Sequence, residues 1–486
     1  MNDRILTGID GLDTVLGGGM LPSRSYMLRG SPGAGKTLLG VHFLVAGTER
    51  GEDALFINLG EAEADVRENA RAFGFDLDDV AFLDLSPSSD FFVEGRSYEI
   101  FSADDVEGEG ITDEIATEVE SYDPDRVFVD PLTQLRYLTR DEFQFRKQVL
   151  SFLRFLKEQD ATVCFTSQDT DATPDDDLQF MADAIVHLDS TARGRTLEVS
   201  KFRGSDFQRG THAVVIDDDG MSVYPELLPD ERERAFRDED ISSGVPALDR
   251  LLSGGIQAGT VTLISGPSGV GKTTTGAQFV KEAASRGDRS VLYLFDESRE
   301  VFLHRCEAID IPVREMIDRG TLTVTDLEAL EYSPQRFAND VRNEVESADT
   351  DVVMIDGIEG YRLSVRGGDD ELTQRLHALG NYLRNRGVST VLTSEIGNVT
   401  GDFEASNHDV SYLADNIVFL RYLELDGELR KAIGVLKMRA GDFEQTLREF
   451  RITEDGIVVG EPLEGLRGVL SGTPEWVDSE PEPGRR

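Results

Sequence analysis

SYMLRGSPGAGKTLLGVHFLVAG (residues 25–47) runs an apolar stretch into a glycine-rich turn and on into a helical pattern, and its reading decides the fold. The turn comprises Gly30, Ser31, Pro32, Gly33, Ala34, Gly35, Lys36 and Thr37, and fits G-x-x-x-x-G-K-[ST]. Strand, such a loop, then helix is the context of a phosphate-binding loop. The glycines let backbone N–H groups turn toward phosphate oxygens, and the helix N-terminus adds a favourable dipole. Lys36 should reach the β- and γ-phosphates, and Thr37 should bind a magnesium ion. The same combination recurs in VTLISGPSGVGKTTTGAQFV (261–280), with Gly266, Pro267, Ser268, Gly269, Val270, Gly271, Lys272 and Thr273 as the loop. One such match arises by chance in about a few per cent of chains this long. Two, each between a strand and a helix, exclude chance and imply two sites for a nucleoside triphosphate, with ATP and Mg²⁺ as the expected ligands.

Working outward from the loops, TGIDGLDTVLGGGMLPSRSYMLRGSPGAGKT (7–37) lies over SGVPALDRLLSGGIQAGTVTLISGPSGVGKT (243–273) at one constant offset. Gly8 falls on Gly244, Asp13 on Asp249 and Lys36 on Lys272; further along, Glu61 falls on Glu297, Lys201 on Lys437 and Arg203 on Arg439. A duplicated and fused domain explains this. The expected boundaries are a first domain at 1–226, a linker at 227–240 within PELLPDERERAFRDED, a second domain at 241–471, and a disordered acidic tail at 472–486. Within each half, short apolar runs (ALFINL, RVFVD and ATVCFTS; then SVLYLF, DVVMID and VSTVLTS) alternate with helical patterns. That alternation predicts an α/β fold in which helices cover a mostly parallel sheet.

Two of those runs end in a carboxylate, Asp130 in RVFVDP and Asp356 in VVMIDG. In enzymes with a phosphate-binding loop, a strand-terminal aspartate holds the magnesium shell. Both are therefore expected metal-site residues beside Thr37 and Thr273.

Composition bounds the rest. The formal net charge of −44 in 486 residues is spread along the whole chain, and lysine is scarce. Such a surface repels itself at low salt, while the screening length falls to about 3 Å at 1 M. This points to the cytoplasm of a salt-loving microbe and weighs against extended contact with DNA phosphates. No apolar run approaches the roughly 20 residues of a membrane span, and MNDRILTGID lacks a signal-peptide profile. Cys164 and Cys306 lie far apart without metal-ligand spacing, as expected of reduced, partly buried thiols.

The order TGIDGLD, phosphate loop, paired acidic residues, strand aspartate and KxRG resembles the KaiC-like ATPases of the RecA superfamily in their double-domain form. The resemblance runs through KAIGVLKMRAGDFEQTLREFRI (431–452) and, more weakly, GLRGVLSGTP (465–474). It implies two tandem RecA-like domains that stack side by side into a ring, usually a hexamer, with ATP between neighbouring subunits. It also gives Lys201 and Arg203, and Lys437 and Arg439, a job. They match residues that reach the neighbour's ATP and neutralise charge on the transferred phosphoryl group, as an arginine finger does. The family places adjacent glutamates after the second strand to orient and deprotonate the attacking water. Here FINLGEAEAD (56–65) offers Gly60 and Glu61, whereas YLFDESRE (293–300) offers Asp296 and Glu297. A missing carboxylate implies slow or absent hydrolysis at the first site.

In the family's clock member, a Ser-Thr pair of the second domain is autophosphorylated. NHDVSYLADNIVFL (407–420) puts Ser411 and Tyr412 in those places; an ordinary exposed loop with a serine is the alternative. The C-terminal segment resembles a regulator-docking segment only loosely, so a regulatory protein at the tail, with Trp476 as its contact, stays open. Three function classes compete: a signalling or timing ATPase, a recombinase or helicase motor, and an ATP-binding scaffold. PLTQLRYLTRDEFQ (131–144) has no net positive charge and QDTDATPDDDLQ (168–179) is acidic where a motor needs cations, although Arg362 and Arg366 in GYRLSVRGGDD keep DNA contact open.

Overall fold

A computed structural model of the chain describes residues 4–86, 116–117, 119–138, 141–167, 175–192, 194–227, 239–365, 369–397, 410–425, 427–439, 441–463, 465–467 and 475–476. The chain divides into two units, Met1–Glu226 and Leu227–Arg486, each described by itself. Most of the expected linker, part of the acidic segment 168–179, Arg366 and residues 407–409 lie outside the described residues.

The apolar runs become the buried strands of the first unit: β1 (Ser25–Gly30), β2 (Ala54–Asn58), β3 (Ala81–Asp84), β4 (Arg126–Asp130) and β5 (Thr162–Thr166). They are followed by β6 (Ala184–Thr191), β7 (Gly194–Phe202), β8 (His212–Asp217) and β9 (Gly220–Tyr224). The sheet order is β3-β2-β4-β5-β1-β6-β7-β8-β9. Pairing is parallel from β3 through β6 and antiparallel from β6 through β9. Helices Lys36–Thr48 and Glu142–Glu158 bury apolar faces on this sheet, and all five residues of β2 are buried. The antiparallel extension is an addition to the parallel core expected from the apolar runs.

The second unit repeats the plan. After the short pair β10 (Asp240–Ile241) and β11 (Ile256–Gln257) come β12 (Val261–Gly266), β13 (Ser290–Leu294), β14 (Leu322–Asp326), β15 (Val352–Asp356) and β16 (Ser389–Glu395). Strands β17 (Asn416–Leu425), β18 (Glu428–Met438), β19 (Arg448–Thr453) and β20 (Gly456–Pro462) complete it. Their order, β14-β13-β15-β16-β12-β17-β18-β19-β20, is that of the first sheet. The duplication is therefore one of topology as well as of motif.

The constant offset fails in the middle of the repeat. Asp130 ends β4 and is answered by Asp356 at the end of β15, not by position 366. The first unit is longer between β2 and β4, and the second recovers the difference in a longer β17–β18 hairpin and the chain leading to it.

The TGIDGLD motif serves the fold. Asp13, almost wholly buried, accepts from the Thr7 N–H at 2.9 Å and so folds the leading turn onto helix Asp10–Val15. Asp249 does the same with the Ser243 N–H at 2.7 Å and the Ser242 and Ser243 hydroxyls at 2.6 Å each. The cysteines are fully rather than partly buried, and burial pushes the Cys306 thiol up to about 12. Within the segment expected to be a disordered tail, Glu475–Trp476 pairs with Leu466–Arg467 in a short antiparallel ladder. No described helix is long and apolar enough to cross a membrane.

Candidate nucleotide sites

In a parallel sheet, ligands bind beyond the carboxyl ends of the strands. Both glycine loops lie there, leaving β1 and β12 and entering helices Lys36–Thr48 and Lys272–Ser285. The residue just before each helix, Gly35 or Gly271, has φ of 105° or 120°, a backbone that favours glycine.

At the first site, the Thr37 hydroxyl donates to Asp130 Oδ2 at 2.6 Å. Thr166, at the end of the intervening strand β5, donates to Asp130 Oδ1. Lys36 Nζ folds back on its loop and donates to the carbonyls of Gly30 at 2.7 Å and Ser31 at 3.0 Å. Burial pushes Asp130 up and Lys36 down, and the charge of each opposes the other's shift.

The second site repeats this frame. Thr273 donates to both oxygens of Asp356 at 2.9 Å, and Thr393 donates to Oδ1 at 2.7 Å. Lys272 Nζ donates to the Pro267 carbonyl at 3.0 Å and stands 4.0 Å from Glu395. Burial raises Asp356 above the usual carboxylate range. In both halves the threonine and the aspartate are hard oxygen donors held side by side, a set that suits magnesium. A buried carboxylate bonded mainly to neutral hydroxyls also gains from a cation.

The sites differ in the acidic residues after the second strand. In the second, a cavity of about 360 Å³ is lined by Lys272, Thr273, Asp296, Glu297, Asp356, Glu359 and Glu395, among others. Burial first, then the charges of Asp356, Glu359 and Glu395, push Asp296 up to about 6. Glu297 accepts from Arg305, whose other nitrogen donates to Thr274 Oγ1 at 3.1 Å. The guanidinium thus ties Glu297 to the helix that leaves the phosphate loop. In the first site, Gly60 leaves one position empty of side chain and Glu61 is exposed. Asn58 donates to the Glu61 carbonyl and accepts from the Gly60 N–H at 3.3 Å, pinning the backbone of this segment. Arg305 is not foreshadowed by the motifs, although the repeat offset sets it against exposed Asn69, a difference visible in the sequence. Thr166, Thr393, Glu359 and Glu395 likewise carry no motif signal.

The KxR pairs sit at the other end of their sheets. Lys201 pairs with Ile185, level with Met27, and Lys437 pairs with Ile417, level with Leu263. Each is three residues short of the strand end that carries the phosphate loop, roughly 10 Å along the strand. Lys201 donates to the carbonyls of Gln179 and Ala182 at 2.7 Å each, and Arg203 donates to that of Phe180 at 3.1 Å. Lys437 donates to Ala414 O at 2.7 Å, and Arg439 donates to Asp415 Oδ1 at 3.3 Å. Burial and the neighbouring arginine push both lysines down. Among the described residues, the hydrogen bonds of both pairs go to the segments before β6 and β17 and not to the phosphate loop of their own unit.

Ser411 and Tyr412 lie in a short 3₁₀ turn, Val410–Tyr412, just before β17. Tyr412 is half exposed, and the Ser411 carbonyl accepts from Lys437 at 3.4 Å. Arg136, in the segment after Asp130, pairs with Glu142 at 3.0 Å and lies over Phe145. Arg362 lies on helix Ile358–Ser364.

A family described as "ATPase: KaiC" matches residues 5–227 and, a second time, 241–464. The Circadian clock protein KaiC3 of Synechocystis sp. is 28% identical, with 98% of this chain and 95% of that protein covered. The Circadian clock oscillator protein KaiC of Acaryochloris marina is 26% identical over 98% of this chain and 92% of its own length. The protein of the same name from Synechococcus elongatus is 25% identical, covering 97% and 92%.

Proposed function

Because this chain belongs to the KaiC family of ATPases, we propose that it works as a regulatory ring in which the first nucleotide site holds the assembly and the second turns over. The observation that carries this division is the unequal acidic complement: Asp296 and an Arg305-held Glu297 at one site, Gly60 and an exposed Glu61 at the other. At the second site, Lys272 and the loop N–H groups bind the phosphates. Thr273 and Asp356 would hold magnesium, as Thr37 and Asp130 would at the first. Bound there, the ion neutralises charge on the phosphate oxygens. Glu297, with Asp296, orients the water and accepts its proton. Lys437 and Arg439 of a neighbouring copy supply the positive charge opposite, and Lys201 and Arg203 do so for the first site. Their place at the far end of their own sheet supports that reading. The relatives are named as circadian clock proteins, and that likeness supports a timing or signalling output over a motor or an inert scaffold.

The reading is tested by ATP turnover together with light scattering in molar salt, where a charge of −44 is screened. Nucleotide-dependent assembly with turnover supports it; assembly without turnover would favour the scaffold.

Arg305 offers a narrower test. Arg305→Ala is expected to lower second-site turnover by roughly tenfold while nucleotide affinity stays within about twofold, since the water's acceptor loses its position. Arg305→Lys should recover part of the loss.

Autophosphorylation of Ser411 is a second reading, favoured by one placement: its carbonyl bonds Lys437, a residue assigned to the neighbour's nucleotide. Incubation with ATP and magnesium should add the mass of one phosphoryl group, absent in Ser411→Ala. An unchanged mass under all conditions tried would leave Ser411 as a plain turn residue, and Tyr412 is the residue to check if the alanine variant still gains mass.

A further inference from the structure

The turn after each strand aspartate is built differently in the two halves, and the difference faces the acidic position that also differs. In the second half the turn is DGIEG, residues 356–360. Gly357 has φ of 95° and enters helix Ile358–Ser364. A Cβ on Gly357 would stand 2.3 Å from Asp296 Oδ2, and one on Gly360 would stand 2.6 Å from Asp296 Oδ1 and 2.7 Å from Phe295 Cβ. Real side chains do not approach so closely, so the Asp296 carboxylate occupies a notch that exists because these two residues are glycines. In the first half the turn is DPLTQ, residues 130–134. The positions answering to the two glycines are Pro131 and Gln134. There the missing side chain is on the other partner: a Cβ on Gly60 would stand 3.1 Å from Pro131 Cδ. That is tighter than most real contacts, and the atom in the way is part of a ring, so the turn itself must give by a few tenths of an ångström to admit a side chain. Each half thus has a side chain on one partner and a glycine on the other, with the roles reversed.

We propose that this turn decides how well a site can hold the first of its two acidic residues: the glycines Gly357 and Gly360 seat Asp296, and Pro131 crowds a side chain at position 60. Gly357, Gly360 and Pro131 are then positioning residues, acting on the water only through the carboxylate they seat or crowd. The inequality of the sites is fixed by a pair of positions in each half. Restoring an acid at position 60 by itself does not fully restore a site.

The proposal rests on the reading that the second site is the faster one, and the test separates the two. Its first arm is a thermal-unfolding cycle that needs no turnover. Gly357→Ala carries the same positive-φ strain in any background, so its cost in wild type and in Asp296→Ala differs only by the clash with the carboxylate. The midpoint should fall by roughly 5 °C more in wild type than in Asp296→Ala. An equal fall in both backgrounds overturns the seat. The second arm is the turnover of the first site, measured with Lys272→Ala silencing the second. Gly60→Asp alone should leave that turnover within about twofold and lower the midpoint. Gly60→Asp with Pro131→Gly should raise turnover by roughly tenfold or more and recover the midpoint, while ATP affinity stays constant. Full activation and full stability from Gly60→Asp with Pro131 in place would overturn the crowding. Wild-type turnover in Lys272→Ala itself would instead overturn the division of labour, leaving the unfolding cycle to judge the turn.

Discussion

Lys272→Ala removes ATP turnover by roughly a hundredfold or more, the order expected when a charged group facing the transferred phosphoryl is lost. Lys36→Ala leaves turnover per assembled chain within about twofold and instead weakens nucleotide-dependent assembly, seen as a lower mass by light scattering. The asymmetry follows from what surrounds each lysine. Lys272 shares its cavity with Asp296, Glu297 and the Arg305 contact, so ATP held there would meet the carboxylates proposed to activate water. Lys36 serves a loop whose aspartate and threonine are equally well placed, with Thr37 at 2.6 Å from Asp130, but whose acidic segment offers only an exposed Glu61. On the proposed reading, binding is built into both sites and water activation into one. Equal losses of turnover from the two substitutions would mean that Glu61 suffices.

Arg439→Ala should cost about a thousandfold in second-site turnover, within the range for a cation that stabilises phosphoryl transfer from across an interface. Arg439→Ala and Lys272→Ala should each be nearly inactive alone, yet recover activity when mixed and allowed to exchange subunits. An interface that joins the intact Lys272 of one copy to the intact Arg439 of the other is complete. Random mixing in a closed ring gives about a quarter of such interfaces. The geometric ground is that Arg439 follows a strand residue level with Leu263 and bonds Asp415, at the end of the sheet opposite its own loop. Failure of the mixture to recover would assign Arg439 to holding Asp415 and the start of β17 in place.

Much of this organisation is legible in the sequence because phosphate binding constrains backbone and side chain together. The loops around Lys36 and Lys272 must have glycines at set spacings between a strand and a helix, and the aspartates must end apolar strands. The antiparallel strands β7–β9 and β18–β20 were less legible. A half-buried strand such as Gly194–Phe202 alternates buried and exposed residues instead of forming an apolar run. The Arg305–Glu297 pair and the glycine notch under Asp296 were not legible at all, since each joins residues from separate elements whose approach is set by the sheet. The repeat does preserve their shadow: Asn69 answers Arg305, and once the break in the offset is allowed for, Pro131 and Gln134 answer Gly357 and Gly360.

The most direct test of unequal sites is the identity of the nucleotide that stays on the protein. Wild-type protein is incubated with ATP and magnesium in molar salt through several turnovers, stripped rapidly of free nucleotide, and denatured for separation of ATP from ADP. The account predicts that each chain keeps one ATP that persists and a second nucleotide that passes to ADP. Lys36→Ala should lose the persistent ATP, and Lys272→Ala should lose the ADP. Two ADP per chain accumulating at the same rate would contradict it, because both sites would then be working ones.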